Sequence, residues 1–436
     1  LMAAFRGARG DLREALASSQ RTLSGGGHRI RSTLVVAQVA LTTILLVGAG
    51  LVGRSFVRLL DVDPGFRRER AVVLDVSVPI DARDPAEVAR RTRFYDDLIA
   101  RLGTLPGVRA AGGVNALPLT GGQTSNGTFI EMSSPTERFS MELIPQIMKD
   151  PTRAGHAEFR IASEGYFEAM KIPLVRGRLF DGRDAPDGQH VALVSASLAR
   201  KEWPDANPIG KVIQFGNMDG DLRPFVVIGV VGDVREVSLA SEPRPTFYAY
   251  YRQRPRAAQA FNVVVQGEVT PATVGAAARQ IVRQLRPDVP PRLRTIETVI
   301  ATSVADRRFM LVLLGAFGAT ALLLATLGVY SVIAYVVAQR KQEIGIRVAL
   351  GARSADVLAM VLRQGAALAL AGVGLGTLGA LALTGTLQRF LYGVTTTDPV
   401  AFGGVLVGLT VVALLASLVP ARRASKVEPM SVLRGS

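Results

Sequence analysis

Four stretches of this chain carry no charged residue and are long enough to cross a lipid bilayer: 32–53, 309–339, 364–387 and 400–419. A bilayer's hydrocarbon core is about 30 Å thick, and about 20 apolar residues cover it at about 1.5 Å of helical rise each. Backbone in lipid must satisfy its own hydrogen bonds, so runs of this length can only be helices. The run 309–339 would make roughly 45 Å of helix, so it must tilt or protrude. Between 60 and 305 no run is long enough to span. That stretch is therefore one large domain between the first and second spans.

Charge decides which side the connectors take. The net charge is +15, and residues 1–32, 339–364 and 421–436 hold six, five and four basic residues against two, two and one acidic. Most of the excess thus sits beside the apolar spans. Basic connectors stay on the cytoplasmic side, which puts both termini and 339–364 inside and 54–308 outside. The loop 388–398 carries only Arg389 and Asp398, as an outer loop should. Basic flanks also attract anionic lipid headgroups. The same placement argues against nucleic acid, whose ligands interleave cations with stacking aromatics.

The residues exclude most chemistry. There is no cysteine, so no disulfide framework and no thiolate metal site is expected. His28, His156 and His190 are scattered, without a second ligand at metal-binding spacing. Gly210-Lys211 is not a phosphate-binding loop, because Asp205 stands where Gly is needed and Val212 where Ser or Thr is needed. Asp96-Asp97 falls on a helix surface. No Asp, Glu, Lys, Arg or His lies within the four runs, which weakens an ion-coupled transporter. No catalytic residue, metal or cofactor is expected.

Within 60–305, alternation over 71–78 predicts a strand, with Val72, Leu74, Val76 and Val78 on one face. Asp84-Pro85-x-Glu87 predicts a helix start, an acidic N-cap with Pro at N1 and Glu at N3, running to Leu102. Strands are expected at 108–114, 225–234, 261–265 and 292–296, with a helix over 271–285. Two strand–helix–strand units suggest an α+β subdomain of split-βαβ kind. Residues 118–222 are richer in Gly, Pro and Asn and are expected as an inserted subdomain with helices near 164–170 and 195–203. In the spans, Gln38 should face another helix. Gly372-x-x-x-Gly376 puts small residues on one face for close helix contact.

Between the second and third spans lies a short cationic segment, 339–353. Ile344, Val348 and Leu350 are expected to share one face, with Glu343, Arg347 and Arg353 elsewhere. A short amphipathic helix at the membrane surface fits that pattern, and so does an ordinary basic loop. Its wording is more specific. Arg340-x-x-Glu343-Ile344-Gly345-Ile346-Arg347-x-Ala349-Leu350-Gly351-Ala352 resembles the coupling-helix segment of the FtsX-like/MacB-type ABC transporter permease family. The words Gly165-Tyr166-Phe167, Asn207-Pro208-Ile209-Gly210-Lys211 and 228–234 resemble that family's MacB-like periplasmic core. The tail from Pro420-Ala421-Arg422-Arg423 to Pro429-Met430-x-Val432-Leu433-Arg434 resembles its C-terminal motif.

The resemblance implies a fold: four transmembrane helices with a large external α+β domain between the first and second, in a bacterial inner membrane. It implies a role, in which a separate cytoplasmic ABC ATPase docks on Arg340, Glu343, Ile344, Gly345, Arg347, Leu350 and Gly351 and drives efflux or mechanotransmission. The chain would work as a homodimer or paired with a similar permease half. The expected boundaries are a basic segment 1–31, spans 32–56, 306–338, 364–388 and 399–420, an external domain 57–305, a coupling segment 339–363 and a tail 421–436. Residues 4–16 align without a gap on 421–433, and the chain starts with Leu1, so it is expected to be the second half of a duplicated protein. A membrane-anchored scaffold or sensor that binds an envelope protein is the alternative.

Overall fold

The structure, a computed structural model, describes residues 4–120, 126–137, 140, 150, 153–215, 221–350, 353–388 and 391–425. Two compact units divide the chain: Leu1–Leu60 with Asp306–Ser436, and Asp61–Ala305.

The first unit opens with α1 (Ala4–Leu60), a continuous helix. It runs unbroken through Ser24-Gly25-Gly26-Gly27, a run whose glycines favour a turn. Helix nucleation is the costly step, and each residue added to a formed span gains a backbone hydrogen bond.

The second unit has two subdomains. One is built from β1 (Ala71–Ser77), α2 (Pro85–Gly103) and β2 (Val108–Val114), completed later in the chain. Asp84 caps α2, accepting from the Ala86 amide, and Pro85 stands at N1. Glu87 reaches back past the cap to the Asp81 amide at 2.8 Å. The chain then departs into β3 (Asn126–Met132), β4 (Ala154–Ala162), α3 (Tyr166–Met170), β5 (Leu174–Gly177), β6 (Val191–Ser195), α4 (Ala196–Glu202), β7 (Val212–Phe215), β8 (Phe225–Val231) and β9 (Thr246–Tyr250). It returns through β10 (Ala260–Gly267), α5 (Pro271–Leu285), β11 (Arg292–Thr295) and α6 (Ile296–Ser303).

The strand order β11–β1–β10–β2, antiparallel throughout, with α2 packed on α5, is the split-βαβ arrangement. The inserted strands close on themselves. β4 pairs with β3, β3 with β7, β7 with β8, β8 with β6, β6 with β9, and β9 runs parallel to β4. Strand 225–231 therefore belongs to the insertion and not, as its sequence position suggests, to a subdomain resuming at 223. Its partners β5, β6 and β7 are all insertion strands. The insertion extends through β9. Where it meets the first subdomain the backbones nearly touch: a Cβ at Gly112 of β2 would lie 2.1 Å from the Tyr166 amide of α3.

β4 and β9 are buried on both faces. On one, Phe159, Phe215, Phe247 and Phe225 form an aromatic core with the centroids of touching rings 5.0–5.8 Å apart. On the other, Arg160 donates to Glu236 at 3.1 Å, Glu236 also accepts from the Tyr248 hydroxyl at 3.3 Å, and Arg244 reaches Glu158 at 2.8 Å. Burial pushes the Glu236 carboxyl up, and the Arg160 charge opposes it. Burial also lowers the His190 imidazole to about 4, helped by the positive charges of Arg254 and Arg223.

The first unit resumes with α7 (Ala305–Gln339), α8 (Lys341–Ala349), α9 (Ser354–Leu387) and α10 (Pro399–Ser425). Helices α1, α7, α9 and α10 are each long and apolar enough to cross a membrane. Two of these helices run past the expected spans. α9 starts ten residues before 364, where the Asp356 carboxylate accepts from the Arg353 amide at 3.1 Å and caps it. Pro420 does not end α10. α10 continues to Ser425, held by Ala421, which is fully buried among the helices. Arg389, Gly351 and the tail words beyond Ser425 lie outside the described residues.

Candidate functional site

Helix α8 follows α7 after a one-residue turn at Arg340, whose carbonyl accepts from the Ile344 amide at 2.9 Å. Its side chains divide by depth. Ile344 is 2% exposed and packs with Val332 and Val336 of α7, Val357 and Val361 of α9 and Ala421 of α10. Gly345 is buried beside it. Arg340, Lys341, Gln342, Glu343, Ile346, Arg347 and Leu350 are exposed.

One expectation is corrected. Leu350 does not share a face with Ile344: it is 83% exposed. Six residues at about 100° each turn the helix by roughly 240° relative to Ile344, away from the core. Leu350 instead shares a stripe with Ile346, four residues before it and 55% exposed. Its amide donates to the Ile346 carbonyl at 2.9 Å, which keeps the helical register. Beside the stripe, Arg347 pairs with Glu343 at 2.6 Å and touches the Met360 sulfur of α9 at 3.1 Å. An exposed pair of this kind contributes under about 0.5 kcal/mol, so its value to stability is small. The segment therefore presents two bare aliphatic side chains and an ordered ion pair outward, anchored by one buried isoleucine. Ile346, at i, i+4 spacing to Leu350, belongs to this exposed stripe although the sequence reading does not single it out.

The α8 end of the bundle carries further cations. Arg31 lies over the Tyr335 ring at 4.4 Å, and Arg423 is 3.4 Å from the Tyr330 hydroxyl. At the other end Arg54 pairs with Asp398 at 2.5 Å, and Asp398 caps α10 by accepting from the Val400 and Ala401 amides. Between the ends, glycines of α9 meet α1. A Cβ at Gly372 would lie 2.6 Å from the Val39 Cβ, and one at Gly376 2.6 Å from the Ala40 carbonyl oxygen. Gln38 faces α7, its Oε1 2.8 Å from where a Gly328 Cβ would stand.

Comparison with known proteins agrees in kind. Residues 32–284 match the family model of the MacB-like periplasmic core domain, and 315–429 that of the FtsX-like permease C-terminal region. The macrolide export ATP-binding/permease protein MacB of Agrobacterium fabrum is 25% identical over 71% of this chain and 47% of its own length. The pyoverdine export ATP-binding/permease protein PvdT of Pseudomonas aeruginosa is 27% identical over 74% of this chain and 50% of its own. MacB of Salmonella typhi is 23% identical over 97% and 60%. The chain spans about half the length of the curated relatives it matches. With four membrane helices, an external α+β domain between the first two and both family regions in place, the chain belongs to the MacB-like/FtsX-like ABC transporter permeases.

Proposed function

We propose that this chain is the permease part of an export system and that a separate ATPase docks on the outer stripe of α8. The observation that supports this best is the contrast along that helix: Ile344 buried, Ile346 and Leu350 bare, Glu343 and Arg347 paired between them. An apolar pair with an ordered ion pair beside it suits a protein partner, with the aliphatic side chains as anchors and the charges setting register. Arg340 adds an exposed cation to the same segment, and Gly345 is buried beside Ile344. The relatives' names join ATP-binding to permease.

On this reading the basic connectors face the cytoplasm of a bacterial inner membrane and residues 61–305 face outward. ATP-driven movement of α8 passes to α7 and α9 through Ile344 and Arg347. A second permease unit, another copy or a similar half, would cover part of α7, which leaves Phe309, Val312, Phe317 and Leu323 exposed. The test is reconstitution with an ATPase encoded nearby. Stimulated hydrolysis that is lost on Leu350→Asp and Arg347→Glu supports the reading. An ATPase that neither binds nor responds contradicts it.

A further inference from the structure

Among the described residues, β5 is the one strand of the external domain's sheet with every residue exposed, Leu174 at 42% and Val175 at 60%. One edge pairs with β8, and the other meets no strand among the described residues. Beside it runs a cleft of about 210 Å³, lined by Val175, Trp203, Pro204 and Pro208 over the buried Val230. A free edge presents unpaired backbone donors and acceptors, and alternating pockets beside one give an added strand its side-chain specificity.

The charge of the segment says which strand fits. Residues 171–178 read Lys-Ile-Pro-Leu-Val-Arg-Gly-Arg, with three cations and no acid. Arg178 is used internally, paired with Asp184 at 2.6 Å. Lys171 and Arg176 make no ion pair among the described residues; Arg176 touches only the Asn207 amide oxygen, at 3.5 Å. A second copy of β5 laid antiparallel would set cations against cations, which destabilises a strand pair. Pro173 and the register shift between Leu174 and Arg176 shorten the edge open to any added strand. An incoming strand with acidic residues meets attraction at Lys171 and Arg176 where a second copy meets repulsion. Its apolar side chains can cover Leu174 and Val175, which an edge guarded only against aggregation would not display.

We propose that β5 is a docking edge for an extended segment of a partner protein, alternating acidic and apolar residues, which adds to the sheet as a further strand. The test uses the whole chain in detergent and two fluorescein-labelled eight-residue peptides, one alternating Val and Glu, the other Val and Lys. Saturable anisotropy change with the Glu peptide and none with the Lys peptide is expected. Arg176→Glu should weaken the Glu peptide at least about tenfold and permit the Lys peptide to bind. Arg93→Glu on α2, an exposed cation away from β5, should leave binding of the Glu peptide unchanged. Equal binding of both peptides, equal loss with Arg93→Glu, or no binding at all would overturn the proposal. So would disulfide-linked dimers of a Val175→Cys chain, since they would make a second copy the occupant.

Discussion

Gly376 of α9 and Thr43 of α1 meet with no room for a side chain: a Cβ on the glycine would stand 2.5 Å from the Thr43 Cβ. Gly374, two residues away on the same helix, would meet nothing within 4 Å. Close backbone approach supplies the packing that a hydrophobic driving force cannot supply in lipid. Gly376→Ala must therefore move one helix and should cost about 1–3 kcal/mol. Gly374→Ala should be neutral or stabilising by up to about 1 kcal/mol. Thermal unfolding of the two variants in one detergent compares them directly, and equal melting temperatures would rule out the tight α1–α9 contact.

Along α8, burial and exposure predict opposite phenotypes. Ile344→Ala leaves a cavity among four helices and should cost about 2–5 kcal/mol of stability. Ile346→Ala and Leu350→Ala change exposed side chains and should stay within about 0.5 kcal/mol of the parent, while weakening any ATPase bound there. Melting curves read beside ATPase stimulation separate the two. If Leu350→Ala unfolds the protein, the outward stripe is structural and not a docking surface.

In the external domain, Glu236 is the partner that makes Arg160 tolerable in the interior. Glu236→Ala leaves a guanidinium whose side chain is 3% exposed, with Glu158 3.7 Å away as its remaining acid. Removing one member of a buried pair costs about 3–5 kcal/mol. Denaturant unfolding should show that loss. The double variant Glu236→Leu with Arg160→Met should recover much of it, because an apolar replacement carries no desolvation penalty.

His190 gives this domain an acid sensitivity. Its folded pKa of about 4 lies below the 6.5 of an ordinary histidine, so between those values the unfolded chain binds the extra proton. The stability contributed by the neutral ring is whole above pH 6.5 and is lost as pH falls toward 4, at no more than about 1.4 kcal/mol per pH unit. His190→Leu should flatten the melting temperature over that window and change little above pH 7. An unchanged slope would mean that the ring titrates normally.

How much of this was legible depends on what each residue faces. The spans were plain because lipid imposes one pattern on every turn. β1 was plain because Val72, Leu74 and Val76 stand two apart in a β-branched run that ends on Asp75 and Ser77, although Ala71 and Val73 between them are buried as well. β4 was not: its Glu158 and Arg160 point inward to Arg244 and Glu236, partners more than seventy residues away, so the period of two vanishes into an Ala-Gly-His-Ala-Glu-Phe-Arg-Ile-Ala run that reads as loop. β8 was found but placed in the wrong subdomain, since pairing across a closed ring of strands leaves no local mark. At α8 the expected face was wrong. Ile344 and Leu350 are both apolar, and only the packing of α7, α9 and α10 around the first says which of them is bare.

The role of α8 depends on its standing on the ATP side of the membrane with its outer stripe free to be covered. The chain has no cysteine, so Leu350→Cys supplies a single thiol. Labelling with a membrane-impermeant maleimide in intact cells and in inverted vesicles, with and without the ATPase, measures both properties at once. The expected result is no reaction from outside, rapid reaction in inverted vesicles, and protection when the ATPase binds. Labelling of Cys-substituted Leu350 in intact cells, or a rate in inverted vesicles that the bound ATPase leaves unchanged, would contradict it.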